Sequence, residues 1–90
     1  MIGTHCTTVS TDREGYTVVI YHQTQVVKFN SQEIILDTGG YETLTTKRRM
    51  NETSDLLNLR FRVYSHKNVM YASYQGKEIP FEGHVLILER

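Results

Sequence analysis

The spacing of apolar residues changes period once along this chain, and that change restricts the fold more than any other feature. Leu59, Phe61 and Val63 alternate with Arg60, Arg62 and Tyr64, the period-two pattern of a strand with one face in a core and the other in water. Just before it, Met50, Thr53 and Leu57 recur at helical spacing, and Thr43, Thr45 and Thr46 each carry a hydroxyl able to cap a helix. The spacing predicts one helix over roughly residues 46–57.

The rest of the chain reads as strands and turns. Residues 16–22 are rich in β-branched and aromatic side chains, and 26–29 and 33–37 are apolar runs joined by Asn30-Ser31-Gln32, a connector of hairpin length. Thr38-Gly39-Gly40 ends that pattern, with Asp37 placed to stabilise the turn. After the helix, turns at 65–68 and 75–77 bound a strand at 69–74. Pro80 and Glu82-Gly83 interrupt the next segment before a last apolar strand at 85–88. Residues 1–15 are Thr-rich and polar, suited to a loosely held arm or one short edge strand. The expected architecture is α+β: a mostly antiparallel sheet of five to six short strands packed against one helix, in the order βββαβββ.

Ninety residues allow one small core and no second domain. A core of that size contributes modest stability, to which a homodimer would add. Cys6 is the only cysteine, so neither a disulfide framework nor a Cys-rich zinc module is available. No apolar run approaches the roughly 18 residues of a membrane span, and 1–5 lacks the charge and apolar stretch of a signal peptide. A cytoplasmic protein without membrane contact is the expectation.

The four histidines His5, His22, His66 and His84 show no metal-ligand spacing, and the carboxylates are scattered over turns and strand ends. Neither a metal, a cofactor nor an enzymatic activity is expected, and catalysis through His22 or Cys6 would lack any supporting motif. Gly39-Gly40 could cradle a phosphate only if it led directly into a helix, and no Walker or dinucleotide motif accompanies it.

Ten acids balance ten bases, yet residues 47–62 hold five bases against two acids. Lys47, Arg48 and Arg49 then fall in the first turn of the expected helix, against a macrodipole that favours acids there by about 0.3–1 kcal/mol per charge. Breaks in a local rule of this kind tend to mark function. Thr45, Thr46, Lys47, Arg48, Arg49 and Asn51, with Arg60, Arg62 and Tyr64 from the next strand, are the candidate ligand- or partner-binding residues. Hydroxyls, cations and a ring together suit a phosphate or an acidic surface. A solvated face with local pairs, Arg48 or Arg49 to Glu52, would produce the same sequence.

The run Gly39-Gly40-Tyr41-Glu42-Thr43-Leu44-Thr45-Thr46-Lys47-Arg48-Arg49-Met50-Asn51, followed by Phe61-Arg62-Val63-Tyr64, resembles a motif of small bacteriophage-encoded accessory proteins. That resemblance implies a protein working in the host cytoplasm, inhibiting a host defence or host enzyme by binding. Its partner would be a host protein, a nucleic acid or a nucleotide, reached through the basic surface. The alternative is a small structural or assembly protein of a virion or replication complex, docked through apolar strand edges such as 85–88.

Overall fold

The computed structural model describes residues 7–21, 24–40 and 44–90. Eight strands and one helix follow in the order β1 (Thr7–Thr11), β2 (Thr17–Tyr21), β3 (Thr24–Phe29), β4 (Glu33–Asp37), α1 (Leu44–Leu57), β5 (Phe61–His66), β6 (Val69–Tyr74), β7 (Lys77–Pro80) and β8 (Val85–Glu89). The α+β class with antiparallel strands is as the period analysis predicts. The strands form two sheets rather than one, a five-stranded sheet β1-β2-β3-β4-β8 and a three-stranded sheet β5-β6-β7. Two short strands account for the higher count. Residues 7–11 take the edge-strand form, and Lys77–Pro80 pairs with β6 as an edge strand, where the missing N–H of Pro80 is tolerated.

Turn chemistry sets each hairpin. The Asn30 side chain accepts the N–H groups of Gln32 and Glu33 at 2.8 and 2.9 Å, closing the β3–β4 connection. Lys67 and Asn68 both have positive φ (52° and 65°), as do Gln75 and Gly76 (52° and 77°). Two-residue loops of that hand match the twist of antiparallel strands. Asp37 accepts the Gly39 N–H at 2.8 Å, the turn role expected of it. Gly39 cannot be replaced there: its φ is 62°, and a Cβ would meet the Thr24 side chain at 2.7 Å.

The inner face of the large sheet presents Val19, Val27, Leu36 and Leu86 in one row, with Ile34 and Leu88 in the next. A register shift in the β2–β3 pairing leaves Val26 and Val27 both buried, a bulge that strict alternation does not predict. From the small sheet, Phe61, Val63, Met70, Ala72 and Tyr74 complete the same core cluster. The helix contributes only Met50 as a fully buried apolar side chain, its other buried positions being Thr46, Thr53 and Ser54. The radius of gyration is 12.0 Å, close to the value of about 12 Å for one compact domain of this length. No helix among the described residues is long and apolar enough to cross a membrane.

Candidate functional site

The sparsely apolar helix is held to the small sheet by polar side chains. Asn51 donates from Nδ2 to the Val63 carbonyl at 3.0 Å and accepts the Val63 N–H on Oδ1 at 2.7 Å. One turn on, Ser54 Oγ donates to the Phe61 carbonyl at 2.7 Å and accepts the Phe61 N–H at 2.9 Å. Lys47 Nζ reaches Ser65 Oγ at 2.8 Å. Helix positions 47, 51 and 54 thus run antiparallel to strand positions 65, 63 and 61, occupying the edge of β5 that no strand pairs. A helix covering a sheet edge usually shields it; here its side chains also complete the hydrogen bonds.

This arrangement redistributes the candidate residues. Because α1 starts at Leu44, Thr45 and Thr46 lie inside its first turn and do not cap it; Thr43, the other cap candidate, lies outside the described residues. Lys47, Arg48 and Arg49 are correspondingly the fourth to sixth helical residues, so that Lys47 stands at the end of the first turn and the two arginines past the free N–H groups and most of the dipole field. Thr46 is buried and Thr45 exposed. Arg49 lies over the Tyr21 ring at 5.3 Å and donates to Glu52 at 2.7 Å, with its Nε buried and unbonded. Asn51 is a structural clamp. The helix start therefore offers Arg48, exposed and without a hydrogen bond or ion pair among the described residues, as its freest cation.

The other end of the patch is differently built. The helix closes with Asn58 left-handed (φ 57°) and the Leu59 N–H bonded to the Ser54 carbonyl at 2.9 Å, a Schellman-type cap. Arg60 is also left-handed (φ 63°), exposed, and makes no hydrogen bond or ion pair with the described residues. Arg62 projects from β5 and pairs with Asp55 at 2.8 Å while its side chain stays 54% exposed. Arg60 and Arg62 flank an open groove of 390 Å³, with Asp55, Asn58 and Ser73 also on its walls. Arg48, seven residues before Asp55, shares the same helical face.

Tyr64 continues the outward row of β5. It stacks on Tyr71 of β6 with ring centroids 5.6 Å apart and planes 16° from parallel. Its hydroxyl donates to Glu78 of β7, and that bond pushes its phenol up to about 12. Sequence reasoning selected Tyr64 but missed Tyr71 and Ser73, which the β5–β6 register places opposite Tyr64 and Arg62. Only strand pairing, absent from a linear reading, shows that adjacency. Cys6, His5 and His22 lie outside the described residues.

The family model of the Kyanoviridae Gp96 protein matches residues 2–86. The chain belongs to this family. It is a phage protein family, in agreement with the phage origin that the sequence resemblance implies. Neither the curated proteins nor the solved structures gave a match.

Proposed function

We propose that this member of the Kyanoviridae Gp96 family is a non-enzymatic binding protein acting in the host cytoplasm, inhibiting a host defence or host enzyme by contact with an anionic partner. The observation that carries this reading is the Arg60–Arg62 groove. Arg60 holds a backbone conformation that costs a side-chain-bearing residue about 1–2 kcal/mol, yet no hydrogen bond or ion pair of its guanidinium with the described residues offsets the cost. Strain without an internal return tends to persist where an external contact uses it. Arg62 is held in place by Asp55 with four guanidinium N–H donors beyond the one in that bond. Phage membership supports a role in the infected cell.

The test is capture from host lysate by the Arg60→Glu/Arg62→Glu double variant beside the native protein. Charge reversal is expected to reduce the captured partner by more than tenfold with an unchanged melting temperature. Equal capture by both proteins overturns the reading. A second reading, assembly through a strand edge, draws on β8: it is one of the two outer strands of the large sheet, with Val85 and Ile87 exposed.

A further inference from the structure

We propose that the outward face of the β5–β6–β7 sheet binds single-stranded nucleic acid, one base lying on the Tyr64–Tyr71 pair and neighbouring phosphates entering the Arg60–Arg62 groove. This inference rests on the binding role just proposed and names the partner's chemistry.

Three features of the face converge on that occupant. First, the small sheet uses one side for the core, through Phe61, Val63, Met70, Ala72 and Tyr74, and on the other side Arg62, Glu78 and Pro80 are exposed and Tyr64, Tyr71 and Ser73 half-buried. The register sets Arg62, Ser73 and Glu78 in one outward row and Tyr64, Tyr71 and Pro80 in the next. Second, the two tyrosines form a short aromatic stack, which any base can extend because every base has a π face. The Glu78 bond to the Tyr64 hydroxyl and the Asp55 bond to Arg62 fix these groups before a ligand arrives, reducing the ordering cost of binding. Third, the cations lie one row away: Arg62 precedes Tyr64 by two residues, roughly 7 Å along a strand, and Arg60 lies beyond it in the groove.

Complementarity selects among anionic partners. A duplex hides its base faces, so a stacking surface gains nothing from it. An acidic peptide would use the arginines and leave the rings idle. Single-stranded nucleic acid alone engages both halves, with unpaired bases on the rings and phosphates at the guanidiniums. Asp55 and Glu78 on the same face, and zero net charge, limit the electrostatic part to about two phosphates, predicting a log–log salt slope of about −1.4.

The probe is a fluorescently labelled oligothymidylate of about eight nucleotides, compared by anisotropy with an abasic strand of equal length, the corresponding duplex and a polyglutamate peptide. The oligothymidylate is expected to bind about tenfold or more tightly than the abasic strand. Tyr71→Leu should remove that difference, and Tyr64→Phe should retain it. Arg60→Gln with Arg62→Gln should bring the salt slope near zero. Equal affinity for the abasic strand, preference for duplex or polyglutamate, or no oligonucleotide binding overturns the inference. The abasic comparison uses native protein, so it decides the matter even if Tyr71→Leu folds poorly. Absence of oligonucleotide binding, with lysate capture still lost on charge reversal, removes nucleic acid and leaves the binding role intact.

Discussion

Asn51 illustrates how a residue's chemistry can be visible while its partner is hidden. An amide beside three cations reads as part of an anion site, but both halves of this amide serve Val63. Asn51→Ala leaves a donor and an acceptor of a buried residue unpaired, with an expected loss of about 2–4 kcal/mol in urea unfolding. Asn51→Asp keeps the acceptor and loses the donor, so it should fall between. Tyr64 gives a second residue-scale outcome. Its folded phenol titrates at about 12, against 10.0 for an ordinary tyrosine, because Glu78 accepts its proton in a hydrogen bond. Between those values the folded chain keeps a proton that the unfolded chain has lost. The associated stability is therefore present below pH 10 and declines as pH rises towards 12. Phenolate absorbance should show this late titration, and Tyr64→Phe should weaken the loss of melting temperature over that range. Tyr16 is raised in the same direction by its bond to Glu33, so some loss persists in the variant.

At the scale of the element, α1 departs from an ordinary amphipathic helix. Its only fully buried apolar side chain is Met50, and its first turn contains no acid and its last no base. Tertiary hydrogen bonds to β5 supply what dipole complementarity and an apolar stripe normally provide. The connection leaving the helix contains two left-handed residues with side chains, Asn58 and Arg60. Asn is tolerated there and completes the cap; Arg is not favoured. Arg60→Gly is expected to raise unfolding stability by about 0.5 kcal/mol, the relief of strain exceeding the added freedom of the unfolded chain. The same substitution should weaken partner capture. Stability and binding moving in opposite directions would separate a functional arginine from an incidental one.

For the whole molecule, the fate of four sheet edges matters most. β5 is occupied by the helix side chains, β7 carries Lys77 and Glu78 and ends in Pro80, and β1 is mostly Thr and Ser. β8 alone combines an edge position with two exposed apolar side chains, Ile87 being 54% exposed, although the 82–85 turn lies against its first residue. Charge, proline and bulges are the usual protections of an edge. Light scattering over a dilution series should show concentration-dependent association that Ile87→Lys abolishes. A monomer at every concentration removes the assembly reading and leaves the binding surface as the working part.

Local chemistry was sufficient for most of the elements, the two short edge strands at 7–11 and 77–80 excepted: alternation at 59–64, the helical spacing of Met50, Thr53 and Leu57, and the turn residues at 30–32 and 75–77 each specify backbone conformation over a few residues. The α+β class follows from them. Which strands join which sheet does not, because β8 pairs with β4 across more than half the chain and bypasses its neighbour β7. The basic segment was legible as charge, but its division was not. Tertiary packing directs Arg49 towards Tyr21, assigns Asn51 and Lys47 to β5, and leaves Arg60 and Arg62 along an open groove. Residue type sets what a side chain can bond to, whereas the choice among available partners depends on distance, and distance is fixed only when the sheets and helix close on their shared core.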